Sequence, residues 1–146
     1  MRIVGISSGG GHLTELLTIT GHLPQLTALI TENGAVKRND GSGLPLQPIL
    51  DPHRSLVGFF RNTFQSVRYL QRYKPDVVIS TGAGMTVPFF LLARLFGAVC
   101  IYVETGARIT TPSMTGRILY PFSSFFIVQN KTLLPFYKKA VVASIL

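Results

Sequence analysis

The chain is short of acid. Six Asp and Glu stand against fourteen Lys and Arg in 146 residues, for a formal charge of +8 at pH 7. Such a balance favours partners that are themselves anionic: phosphorylated ligands, acidic lipid or nucleic acid. Cysteine is scarcer still. Cys100 is the only one, which rules out an internal disulfide, and its apolar neighbours predict a reduced core residue. Long apolar runs are missing too. None reaches the roughly 18 residues of a membrane span, and Gly5 to His12 interrupts any signal-peptide core. A cytoplasmic protein is expected, peripheral to the inner face of the plasma membrane. His22 and His53 fall at turns without metal-ligand spacing, so no metal site is predicted. No serine or cysteine nucleophile arrangement, internal repeat or long low-complexity tract is present.

What is present is apolar. Hydrophobic residues make up 47% and charged residues 14%, which predicts an α/β core with apolar surface left to meet something else. The length suits one domain, residues 1–146, large enough to fold without staples. Strand-like runs at Arg2–Ile6, Gln25–Thr31, Leu46–Leu50, Asp76–Ser80, Ala98–Val103 and Ser124–Val128 alternate with helical stretches. The helices are expected at Gly11–Thr20, Ser55–Tyr73, Thr86–Phe96 and near Ser113–Leu119. That alternation predicts a Rossmann-like parallel sheet with helices on both faces, its ligands at the carboxyl ends of the strands. Asn33 to Gly43, rich in Gly, Asn and Asp, is expected to be a mobile loop. The apolar end, Ala140 to Leu146, is expected to pack on its own sheet or on a partner.

The motif of greatest chemical content is Ser7-Ser8-Gly9-Gly10-Gly11-His12, between the first strand and the first helix. Uncapped N–H groups and the positive end of the helix dipole converge there, and glycine lets an anion approach the backbone. It is no Walker A loop, because Gly11-His12 stands where Lys-Ser/Thr would neutralise phosphate. A dinucleotide fingerprint also fails on its last glycine, although Glu32 occupies the place of a ribose-binding acid and keeps NAD-type binding open. A tight structural turn is the plainest alternative. The second loop, Ser80-Thr81-Gly82-Ala83-Gly84, leaves another buried strand, and in a parallel sheet both loops open on one edge to grip a phosphorylated ligand. Glu104-Thr105-Gly106-Ala107-Arg108 reaches the same edge, where Glu104 is either functional or half of a surface ion pair with Arg108. His12 is a candidate general base, or a histidine that merely hydrogen-bonds the loop.

Two helices carry a different signal. Arg54, Arg61, Arg68 and Arg72 fall near one line, with Leu56, Phe59, Phe60, Val67 and Leu70 on the opposite side. This is either a core-facing helix with a solvated basic face or a face for anionic lipid. Val87 to Phe96 is apolar nearly all round, hence buried or dipped into a membrane interface. The basic residues are dispersed and accompany no nucleic-acid motif, so nucleic acid is not an expected partner.

In order along nearly the whole chain, five segments carry a family resemblance: Ser8-Gly9-Gly10-Gly11-His12, Asp51-Pro52-His53-Arg54-Ser55, Lys74 to Gly84, Tyr102 to Arg108, and Pro112 to Arg117 continuing to Phe126-Ile127-Val128-Gln129. The chain resembles the acceptor- and membrane-binding subunit of two-component glycosyltransferases that build lipid-linked saccharides. These include bacterial PssD-type polysaccharide proteins and the anchoring subunit of the dolichol-pyrophosphate N-acetylglucosaminyltransferase. The resemblance implies the N-terminal half of a GT-B glycosyltransferase. A second chain would supply the catalytic C-terminal half and hold most of the UDP-sugar donor, with no tightly bound cofactor. The glycine loop is also similar to that of the lipid-II-forming N-acetylglucosaminyltransferase. By that likeness Gly9, Gly10 and Gly11 would hold the lipid diphosphate. Within the subunit family Arg108 corresponds to a partner for acceptor or donor phosphate, and Ser8, Ser80, Thr81, Gly82 and Gly84 are further phosphate-binding candidates from their place in the two loops. His12 and Glu104 would be the catalytic candidates. Eukaryotic members carry an N-terminal membrane span, whereas here the first strand begins at Arg2, so anchoring is expected from the two helices or from a membrane partner.

The function expected is sugar transfer from a UDP-sugar to a polyprenyl-pyrophosphate saccharide during polysaccharide assembly. A non-catalytic adapter recruiting its partner to the membrane is one alternative; a dinucleotide-binding enzyme using Glu32 is another.

Overall fold

A computed structural model describes residues 1–23, 25–38 and 43–145. Short β-branched runs make strands wherever both faces are to be covered, and the first strand, β1 (Ile3–Ser7), is buried at every position. It is followed by α1 (Gly11–Thr20), β2 (Ala28–Glu32), α2 (Asn33–Arg38) and β3 (Leu46–Ile49). The second half runs α3 (Leu56–Tyr73), β4 (Val77–Gly82), α4 (Val87–Leu95), β5 (Val99–Val103), α5 (Met114–Leu119), β6 (Phe125–Val128) and β7 (Val141–Val142). All pairings are parallel, and the sheet order is β3-β2-β1-β4-β5-β6-β7. This is the expected α/β architecture. The order reverses between β1 and β4, so the crevice for a ligand lies over the carboxyl ends of those two strands.

Each face has its own core. On one, Ile3, Leu29 and Ile79 of the sheet meet Leu13 and Leu16 of α1 and Ala35 of α2. On the other, Val4, Ile6, Ile30 and Val78 meet Leu70 of α3, Phe89 and Phe90 of α4 and Leu119 of α5. Cys100 is wholly buried in this second core, as its sequence context implied, and burial raises its thiol to about 11. The apolar end contributes the seventh strand, with Val141 in register with Ile127 at the sheet edge.

Two expectations are corrected. Asn33 to Gly43 is not a loop throughout: Asn33–Arg38 is helical, while residues 39–42 lie outside the described ones. Local propensity in Asn33-Gly34 yields here to tertiary contact, because Ala35 is buried and Arg38 turns back to Glu32. The second correction concerns α3. Its buried face is Asn62, Ser66 and Leu70, whereas Leu56 (79% exposed), Phe60 (69%) and Phe64 (65%) stand in solvent. Of the apolar stripe read from the sequence, only the end near Leu70 is in the core. The cause is Asn62, whose amide donates to the Leu50 carbonyl at 2.7 Å and the Met85 carbonyl at 3.0 Å. A buried amide satisfied in this way can turn a polar face to the core.

Candidate functional site

The glycine loop closes β1 and starts α1. Gly10 is the N-cap residue at φ 70°, a conformation that glycine adopts without steric cost, and no side chain caps the helix. No acidic residue lies in the first turn, and a β-carbon on Gly10 or Gly11 would touch nothing within 4 Å. The first-turn N–H groups therefore face open space with their dipole unopposed, the geometry an anion requires. Ser8 turns its hydroxyl toward the Gly9 carbonyl.

The β4 loop lies beside it, as two parallel strands that neighbour each other demand. His12 Nδ1 is 2.8 Å from the Thr81 carbonyl oxygen, and Thr81 Oγ1 donates to the His12 carbonyl at 2.7 Å. A carbonyl only accepts, so Nδ1 carries the hydrogen and the neutral ring keeps its lone pair on Nε2. Ser80 Oγ accepts from Gly82 N at 3.2 Å, and Gly84 opens a 3-10 turn facing free space. Between them Ala83 has φ 86° and ψ 149°, a conformation almost confined to glycine; such strain gathers at functional sites.

Glu104 ends β5 wholly buried. Its Oε2 accepts from Ser113 N at 3.2 Å, Ser113 Oγ at 3.0 Å and the Tyr137 hydroxyl at 3.0 Å, while Oε1 is buried without a partner. It is not ion-paired with Arg108, which is exposed on the loop beyond. Burial and then the Glu104 charge push the Tyr137 and Tyr102 phenols up, so both remain protonated donors.

Glu15, three residues past His12, escaped the sequence reading. Its Oε1 accepts from Gly106 N at 2.9 Å, Thr105 Oγ1 at 3.1 Å and Gln129 Nε2 at 3.3 Å. Gln129 also donates to the Glu104 carbonyl at 3.2 Å. Glu15 thus ties the helix carrying His12 to the loop carrying Arg108. The two glycine loops and the Glu104–Arg108 loop accordingly meet on one edge. Of the two helices singled out, the basic and aromatic α3 lies on the outer face of the second core, and α4 buries Phe89 and Phe90 within it. A cavity of about 510 Å³ opens elsewhere, at the amino-terminal edge among Leu70, Lys74, Asp76, Ala93 and Ala98. This void lies at the opposite edge of the sheet from the glycine loops and does not mark the site. Among the described residues no group of His, Cys, Asp and Glu is placed to hold a metal ion, and no helix is long and apolar enough to cross a membrane.

The fold is that of the Rossmann-like domains of GT-B glycosyltransferases. It superimposes on MurG of Acinetobacter baumannii with a TM-score of 0.73 at 18% identity, covering 99% of this chain and 44% of that one. Residues 51–146 match the family described as "Oligosaccharide biosynthesis protein Alg14 like", and the chain belongs to that family. It is similar to the UDP-N-acetylglucosamine transferase subunit ALG14 of Homo sapiens, 27% identical over 97% of this chain and 81% of that protein. It is also similar to the UDP-N-acetylglucosamine–N-acetylmuramyl-(pentapeptide) pyrophosphoryl-undecaprenol N-acetylglucosamine transferase of Ruminiclostridium cellulolyticum. That likeness is 28% identical over 94% of this chain, which spans only 42% of the relative.

Proposed function

We propose that this chain is the acceptor-binding, membrane-associating subunit of a two-chain glycosyltransferase. It works in polysaccharide or oligosaccharide biosynthesis, moving a sugar from a UDP-sugar to a saccharide on a polyprenyl diphosphate. The observation that carries the reading is the pair of glycine loops stapled by His12 and Thr81, which engages Nδ1 and leaves Nε2 available beside an uncapped helix end. In this reading the first-turn N–H groups and Arg108 hold the diphosphate. The acceptor hydroxyl gives its proton to His12 Nε2 as its oxygen bonds the anomeric carbon, and the bond from that carbon to the UDP oxygen breaks. Glu104 acts as a positioning residue, because its carboxylate is occupied by Ser113 and Tyr137 beneath the surface. The donor is mostly held by a second, catalytic chain, consistent with MurG being more than twice as long as the region this chain matches. The exposed Phe60 and Phe64, with Arg68 lying 5.9 Å over the Phe64 ring, suit the interface of an anionic membrane on the cytoplasmic side.

The test is reconstitution. The purified chain is expected to transfer no sugar until the catalytic chain is added, and efficient transfer by this chain alone would overturn the proposal. That same helix α3 favours a second reading, an adapter that only recruits its partner to the membrane. Full turnover by the complex carrying His12→Ala would select the adapter.

A further inference from the structure

The glycine loop lacks the lysine that phosphate loops place within their own motif, and the fold supplies a cation from elsewhere. We propose that Arg38, at the end of α2, is a diphosphate-binding cation of this loop in addition to Arg108; the inference rests on the loop being the diphosphate site. Three observations converge on it. First, α2 packs against the loop itself: a β-carbon on Gly9 would lie 2.7 Å from Glu32 Oε1, 2.9 Å from Arg38 Nη2 and 3.0 Å from Ala35 Cβ. Glycine at this position is what allows the guanidinium to approach the loop backbone. Second, among the described residues Arg38 is held by Glu32 alone, at 3.4 Å, with 65% of its side chain exposed. A surface pair of this kind contributes little and exchanges readily for a better acceptor. A diphosphate is one, since the planar guanidinium donates to two phosphate oxygens at once. Third, the wholly buried hydroxyls of Ser7, the last residue of β1, and Thr31, next to last in β2, have no hydrogen-bond partner among the described residues. Two polar groups with free capacity thus lie near the carboxyl ends of the strands that precede the loop and α2.

Glu32 then has a role opposite to the ribose-binding one the sequence allowed. It parks Arg38 beside the loop and must be displaced when the anion arrives. The chemistry that fits is an organic diphosphate. Two sources offer it, a prenyl diphosphate and a nucleoside diphosphate, and we assign the prenyl source.

The experiment is calorimetric titration of the full chain with inorganic pyrophosphate, farnesyl diphosphate and UDP. Circular dichroism would confirm that each variant is folded. Arg38→Ala is expected to weaken pyrophosphate and farnesyl diphosphate roughly tenfold. Arg38→Lys should recover only part of that loss, and Glu32→Gln should tighten binding. Arg94→Ala, the same change of charge at the opposite edge of the sheet, should alter nothing. Gly11→Asp, which sets a carboxylate in the open mouth of the loop, should abolish binding. Unchanged affinity in Arg38→Ala while Gly11→Asp abolishes binding would overturn the role of Arg38 and leave the loop reading intact. No binding to wild type, or none of it sensitive to Gly11→Asp, would overturn the loop reading and the inference with it. Farnesyl diphosphate binding more tightly than UDP supports the prenyl source; the reverse order overturns that assignment.

Discussion

The imidazole of His12 and the carbonyl of Thr81, 69 residues apart in sequence, meet at 2.8 Å. This one hydrogen bond fixes the tautomer, aims Nε2 away from the protein backbone and holds two loops together. Replacing His12 by Ala in the two-chain complex is expected to lower kcat by about 10²–10⁴, the usual worth of a positioned base. The acceptor KM should change far less, and both are read from steady-state transfer kinetics.

Glu15 gathers three donors on one oxygen. Glu15→Ala leaves all three without it and should cost about 2 kcal/mol. In a thermal melt that is a fall of roughly 6 °C for a domain of this size. Glu15→Gln, which keeps an acceptor, should lose less than half as much.

Gly116 lies against the buried carboxylate. A methyl group there would overlap Glu104 Oε2 and stand 2.6 Å from the Tyr137 hydroxyl. Gly116→Ala is expected to cost more than about 2 kcal/mol by overpacking and by displacing a donor from Glu104. Tyr137→Phe, which removes only the hydroxyl, should cost about 1.5–3 kcal/mol. Urea denaturation of both variants checks the order.

Ala83 is strained where it stands, at φ 86°. Ala83→Gly should relieve about 1–3 kcal/mol of backbone strain against about 0.5–1 kcal/mol of added chain entropy. A net rise of a few degrees in Tm is expected. A fall would show that the β4 loop is not held by this geometry.

Cys100 gives the stability curve an alkaline limit. Its folded thiol ionises near 11, above the reference value of 9.0, so in that window the unfolded chain loses the proton first. The contribution of this thiol is therefore fully present below about pH 9 and is lost as pH rises toward about 11. Cys100→Ala should flatten that decline in urea titrations between the two values, even if it lowers stability overall through the lost sulfur.

Much of this was legible in the sequence. The strands announced themselves because burial on both faces demands unbroken apolar runs such as Ile3 to Ile6 and Val77 to Ile79. The glycine loops were visible because open backbone at a helix start needs residues without side chains. Other features depend on partners far along the chain. Glu15 reads as a solvated helix residue until Thr105, Gly106 and Gln129 arrive from 90 to 114 residues away. Arg38 looks like part of a polar loop until α2 docks on Gly9. The outward stripe of α3 could not be read from periodicity, which finds two faces without saying which meets the sheet. Asn62 decides that, by bonding carbonyls that lie 12 and 23 residues away in sequence.

The sheet order has a consequence for how the molecule comes into being. β3, β2 and β1 use the first 50 residues, β4 to β7 use the rest, and within the sheet the two halves pair along β1 and β4. The two glycine loops stand on opposite sides of that seam. A nascent chain halted before β4 would carry its glycine loop and His12 but no Thr81 to orient the ring. Two fragments cut between Leu50 and Leu56 would each own half a phosphate shelf, and anion binding would report their reassembly.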